Sequence, residues 1–187
     1  MSKQIWKPGN MLYPVPAVLV STADKEGKDN LITIAWTGTV CSDPPMTYIS
    51  VRKERYSHHM LLETGEFAIN LVTKKLCRAA DFCGVRSGRD LDKFQAMSLT
   101  REKASTINVP LVKESPVNIE CKVTQIIELG SHDMFLAKVT AVLVDESLLD
   151  KKGKLDLNLA EPVAYSHGEY QTFTKTIGHF GYSVKKK

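Results

Sequence analysis

Two stretches of this chain combine cations and hydroxyls, the second with glycine as well, in the way that phosphate binding needs. The first is Arg52-Lys53-Glu54-Arg55-Tyr56-Ser57, where an extended segment gives way to a helix. Three basic side chains and a hydroxyl there meet the positive end of a helix, so charged donors and free backbone N–H groups converge. The same residues also fit a solvated basic turn with Ser57 as an ordinary N-cap. The second stretch is Ser87-Gly88-Arg89-Asp90-Leu91-Asp92-Lys93-Phe94, which reads equally as a surface loop. Ahead of both in sequence runs Thr33-Ile34-Ala35-Trp36-Thr37-Gly38-Thr39. Its small and polar residues would let a planar ring lie close to backbone. Brought together, the three could form one site for a flat phosphorylated ligand.

Other chemistries find less support. The chain has no G-x-S-x-G elbow, no P-loop and no G-x-G-x-x-G. His58 and His59 are adjacent, so on a helix their rings point about 100° apart and cannot chelate one ion. Both read as helix-surface histidines. Asp90, Asp92 and Asp133 fall in turn-like segments, where aspartate is a normal turn residue. The four cysteines, Cys41, Cys77, Cys83 and Cys121, have neither CxxC nor zinc-finger spacing. Cys41 and Cys121 lie in apolar segments and are expected to be packed, with Cys83, beside Gly84, the more exposed. No metal site is expected.

Composition narrows the class. The 187 residues are 43% hydrophobic and 25% charged, the proportions of one globular domain with a substantial core. The domain is expected to span 1–187, with its core at about 15–144 and a C-terminal segment, 145–187, packing on it or on a dimer partner. The net charge of +4 owes much to Lys185, Lys186 and Lys187, read as a solvated end. It therefore gives no nucleic-acid surface. No apolar run reaches the ~18–20 residues of a membrane span, and the first residues lack a hydrophobic signal core. The expectation is a soluble cytoplasmic protein without nucleic-acid or membrane partners.

These groups must be positioned mainly by strands. Val15–Thr22 and Leu31–Val40 flank the polar turn at 24–30 and predict a hairpin. Asp43-Pro44-Pro45 interrupts pairing, and Met46–Val51 alternates as a further strand. A helix follows, with Ser57 as N-cap, Met60, Leu61 and Thr64 as its buried stripe and Gly65 just past its end. Glu66–Val72 is a strand, and Thr73 caps a second helix reaching about Phe82. Leu91–Phe94 forms a short helical turn. Val117–Val123 and Ser131–Val144 alternate as half-buried antiparallel strands around the Gly130–Asp133 corner. Beyond Asp150 the chain carries aromatics, among them Tyr165, Tyr170 and Phe180, but only weak periodicity. The pattern predicts a mainly β protein, a small β-barrel with helical insertions. Small barrels also serve as non-catalytic binding modules for nucleic acid or other ligands, and the strand pattern leaves that alternative open.

The order and spacing of several segments resemble the flavin reductase-like family, and within it flavoredoxin-type proteins. They are Val18–Thr22, Asn30–Gly38, Asp43–Pro45, Ser50–Arg52 with Ser57, Thr64–Asn70, Asp81–Gly84, Ser87–Asp90, Asp92–Phe94 and Gly130–Val139. The resemblance covers about Val15 to Val144. It implies an FMN-binding split β-barrel of Greek-key type that works as a homodimer. The expected function is an oxidoreductase or electron carrier that takes electrons from NAD(P)H or a redox protein and passes them on. Thr33, Ile34, Ala35, Trp36 and Thr37 would then run beside the flavin ring. Ser50, Val51, Arg52, Arg55 and Ser57 would hold the ribityl chain and phosphate, and Ser87, Gly88, Arg89 and Lys93 would close over them. His132 would face the ring and the incoming donor. The family often reads Gly-Asp-His at that corner, whereas this chain has Gly130-Ser131-His132.

Overall fold

The computed structural model describes residues 1–173 and 175–184; the terminal run of Lys185 to Lys187 lies outside the described residues. Twelve strands and three α-helices follow in order: β1 (Val15–Pro16), β2 (Val18–Ala23), β3 (Asp29–Ile34), β4 (Thr37–Ser42), β5 (Pro45–Arg52), α1 (Tyr56–Thr64), β6 (Glu66–Leu71), α2 (Cys77–Val85), α3 (Lys93–Ala96), β7 (Arg101–Glu102), β8 (Leu111–Val112), β9 (Val117–Leu129), β10 (His132–Val144), β11 (Val163–Ser166) and β12 (Glu169–Thr172). Seven strands form one antiparallel sheet in the order β3-β2-β6-β9-β10-β5-β4.

The ends of that order decide the architecture. β3 and β4 sit on opposite edges, yet only Ala35 and Trp36 separate them in sequence. A two-residue link spans at most ~11 Å between flanking Cα atoms. A flat seven-stranded sheet would be ~29 Å wide. The sheet must therefore curl until its edges meet, giving a barrel split between β3 and β4. The expected continuous strand through Val40 is thus two strands broken at Trp36. The Trp36 carbonyl accepts a hydrogen bond from Ser50 N–H (2.9 Å), which ties the link to β5.

Alternation then sorts the core. Val18, Val20, Ile32, Ile34, Ile49, Val51, Phe67 and Phe135 fill the barrel interior. Leu19 and Leu31, on the opposite faces of β2 and β3, pack with Leu76, Ala80, Cys83 and Phe94 of the helical layer. Burial on both faces explains the consecutive apolar Val18, Leu19 and Val20 of β2. Cys83, expected near the surface, belongs to this second core, and Cys41 is half-exposed rather than packed.

Helix α1 begins one residue before the expected Ser57 cap. Its N-cap is Arg55, with no side-chain capping bond, and Gly65 ends it in the left-handed conformation. Ser57 points inward instead, fully buried, its hydroxyl accepting from Thr22 Oγ1 (3.1 Å) and Asn30 Nδ2 (2.8 Å). Thr73 and Asp92 cap as their types predict: Thr73 accepts from Leu76 N–H in a 3₁₀ turn leading into α2, and Asp92 from Gln95 N–H at α3. The C-terminal segment pairs with the N-terminal one, β1 with β11 and β11 with β12. No helix among the described residues is long and apolar enough to cross a membrane.

Candidate functional site

The two basic stretches converge. Arg55 at the start of α1, the loop bearing Arg86, Ser87, Gly88 and Arg89, and Lys93 of α3 line one cleft of about 260 Å³ against Asn30 and Ile32 of β3. Gly88 is buried where the loop crosses β3; a Cβ there would overlap the Asn30 amide and lie 2.9 Å from the Tyr56 ring. Arg89 lies over that ring (5.6 Å) and donates from Nη2 to the Glu54 carbonyl (3.4 Å). Lys93 is only 4% exposed, and its Nζ donates to the carbonyls of Leu31 (2.7 Å) and Cys83 (2.8 Å). Burial pulls its pKa down to about 8, and Arg55 acts in the same direction. Cationic side chains beside an uncapped helix start are a donor set suited to a phosphate monoester.

A second cavity, about 580 Å³, gathers Trp36, Tyr48, Ser50, His132 and Met134 under residues 9–12. Register builds it. His132 pairs with Arg52 and Met134 with Ser50, so these side chains share the outer face of the barrel. Phe135, Ile49 and Val51 face inward. Ser131 Oγ lies 2.8 Å from His132 Nδ1. Partial burial, then the Arg52 charge, holds His132 below the usual histidine pKa, so it is neutral at neutral pH. A third hollow, about 370 Å³, is lined by Thr33, Ala35, Trp36, Asp81, Tyr165 and Tyr170 among others. It shares Gly84 and Val85 with the basic cleft and Trp36 with the second cavity. The three spaces therefore adjoin around the β3–β4 link.

Not every expected residue offers its side chain. Ile34 and Val51 fill the barrel, and Ser57 lies sealed beneath the cleft. Thr37 Oγ1 donates to the Tyr48 carbonyl (2.6 Å), and Thr33 Oγ1 to that of Ala80. Arg52 is exposed and pairs with Glu54 (3.2 Å) rather than lining the cleft. His58, read as a surface histidine, is buried: its Nε2 lies 2.7 Å from Asp133 Oδ2, while Lys53 Nζ lies 3.3 Å from Oδ1. Burial would raise the Asp133 pKa, but these two partners hold it below the usual carboxylate range. The acid missing before His132 thus stands one place after it, where strand alternation turns it to the inner face. Arg86, Asn30, Tyr48 and residues 9–12 were not anticipated. Arg86 adjoins the quoted loop and Tyr48 alternates with Ser50, but nothing in residues 9–12 marks them as a wall.

The flavin reductase-like domain model matches residues 11–174. The chain belongs to that family. Membership places it among proteins of flavin-related redox chemistry. The structure is similar to flavoredoxin of Desulfovibrio vulgaris, at 32% identity and a TM-score of 0.91, over 98% of this chain and 100% of that one. It is also similar to a flavoredoxin from Methanosarcina acetivorans, at 27% identity, a TM-score of 0.87 and the same coverage. An FMN-binding protein from Thermus thermophilus follows, at 25% identity and a TM-score of 0.79, over 96% of this chain and 99% of that one. The match to the family reaches past the barrel strands into β11 and β12.

Proposed function

We propose that this flavin reductase-like protein binds FMN and relays electrons from NAD(P)H or a redox-protein donor to a second acceptor. The observation that carries the reading is the convergence of Arg55, Arg86, Arg89 and Lys93 on one cleft that adjoins aromatic-walled hollows. The cleft suits the phosphate by charge. The link from Thr33 to Thr37 offers backbone and small side chains to the ring, with Ile34 and Thr37 acting through backbone alone. When bound, the flavin supplies the redox chemistry; the protein supplies binding, orientation and electrostatics. Ser50 orients the link through its bond to Trp36. His132, neutral and on the outer face, is placed to contact and orient an incoming donor. Ser87 and Gly88 let the loop close against β3. We also propose that the protein works as a homodimer.

The test compares FMN with riboflavin, which lacks the phosphate. In an Arg55→Ala, Arg89→Ala double variant, FMN affinity should fall at least roughly tenfold more than riboflavin affinity, since a bond to a charged group contributes ~1.5–3 kcal/mol. Equal losses would show that the cleft does not hold the phosphate. Anaerobic titration of the FMN-loaded protein with NADH and NADPH, followed by flavin absorbance, then identifies the donor class. Bleaching by neither would point to a protein donor.

A further inference from the structure

Lys93 has a property that phosphate recognition alone does not require. It is an ionisable amine enclosed by protein with no carboxylate salt bridge among the described residues. Burying an unpaired charge is costly, and an ionisable group so placed tends to neutralise. The nitrogen spends two donors on the carbonyls of Leu31 and Cys83. A neutral amine can keep both of those bonds. What changes with protonation is the third position on nitrogen, a lone pair in the amine and an N–H in the ammonium. A lone pair repels a phosphate oxygen; an N–H binds it. Anion binding and protonation are thus one choice at a single atom.

The surroundings agree. From the β5–α1 corner the cleft presents Glu54, Arg55 and Tyr56, from α2 Cys83, and from the following loop Arg86 and Arg89. The arginines disfavour a further positive charge. Glu54 would favour it, but its carboxylate pairs with Arg52. Lys28 lies at the Tyr56 ring. Asp92, just before Lys93, and Asp29, two residues before Leu31, are both engaged by Arg101, and Asp90 is exposed. Burial pushes the Cys83 thiol up to about 11, which keeps it neutral at mildly alkaline pH.

We propose that, at mildly alkaline pH, the phosphate of the ligand and a proton enter this cleft together: Lys93 is there mainly an amine before the anion binds and an ammonium afterwards, the proton coming from solvent. This rests on the FMN reading and adds a regulation to it. Affinity for the phosphorylated flavin falls as pH rises, by up to tenfold per pH unit once a full proton is coupled.

Calorimetric titration of FMN into the full chain at pH 9, in two buffers of different ionisation enthalpy, counts the protons. A phosphate monoester, with its second pKa near ~6, is already a dianion there, so uptake arises in the protein. Between about half and one proton should be taken up with FMN, and none with riboflavin. Lys93→Arg, whose guanidinium cannot give up its proton, should bind FMN without uptake. FMN binding without uptake would overturn the linkage and leave the FMN reading standing; failure of FMN to bind would overturn both. Uptake persisting in Lys93→Arg would assign the proton elsewhere and overturn the role of Lys93. Should that variant fail to fold, the wild-type ratio of FMN to riboflavin affinity between pH 8 and 10 decides instead, a flat profile being the negative result.

Discussion

Gly88 illustrates how residue type and residue reason come apart. Its place between Ser87 and Arg89 marked a loop, and the loop does line the cleft. The need for glycine, however, comes from Asn30 and Tyr56, distant in sequence, which occupy the space a Cβ would take. Gly88→Ala should therefore cost ~1–3 kcal/mol by overpacking. The urea midpoint should fall at unchanged m-value, and FMN affinity should fall with it. Gly9→Ala, whose Cβ meets only the Lys7 carbonyl at 3.9 Å, should leave both unchanged. Equal stability of the two variants would show that the loop moves freely off β3. Lys93, Ser57 and Cys83 carry the same lesson. Their types were visible in the sequence, but not which would be enclosed, because enclosure is decided by elements distant in sequence: β2 and β3 meet α1 at Ser57, and β3 meets α2 and α3 at Cys83 and Lys93. Arg55 and Arg89 were legible because long cations beside a helix start and a glycine loop remain near the surface in almost any packing.

Elements bridge those distances, and α1 depends on one buried pair to do so. Its N-terminus bears Arg55 at the basic cleft. One turn later, His58 reaches Asp133 of β10, the residue after His132. The pair thus connects the strand of the outer cavity to the helix of the cleft. Strand alternation, legible along 131–144, implied that His132 and Asp133 face opposite ways. It could not show that a histidine on another element waits on the inner face. Asp133→Leu should lower stability at pH 7 by ~1.5–3 kcal/mol, the range for a hydrogen bond to a charged group. The pH dependence has a definite sign. The Asp133 pKa is depressed in the folded chain, so its stabilisation is present above the ordinary carboxylate range and lost as pH falls below it. Wild type should lose stability more steeply than Asp133→Leu below about pH 4, by denaturant midpoints across pH; parallel curves would show that the pair contributes nothing. The hairpin β11–β12 was missed for a different reason. Its turn, His167-Gly168, has positive φ at both residues, a two-residue hairpin signal, but it lies among aromatics whose periodicity is weak.

At the scale of the whole molecule, both end segments expose large apolar side chains. Ile5, Trp6 and Leu12 near one end, and Ile177, Phe180 and Val184 near the other, are largely or fully exposed. Residues 9–12, between Trp6 and the first strand, also wall the cavity that contains His132. A second chain covering the N-terminal segment would bury its side chains and fix that wall at once, so the proposed dimer and the donor cavity are physically connected. The sequence implied a dimer only through family resemblance, because an exposed apolar side chain looks the same on paper as a buried one. Sedimentation equilibrium should give about twice the 20.8 kDa chain mass at micromolar concentration. The triple variant Ile5→Ser, Trp6→Ser, Leu12→Ser should shift that mass toward the monomer and, by loosening residues 9–12, slow reduction by NAD(P)H more than it weakens FMN binding. The basic cleft lies on other elements, so phosphate recognition should survive. A wild-type monomer at these concentrations would end the dimer proposal. A triple variant that stays dimeric but reacts slowly would assign the N-terminal segment to the cavity wall alone.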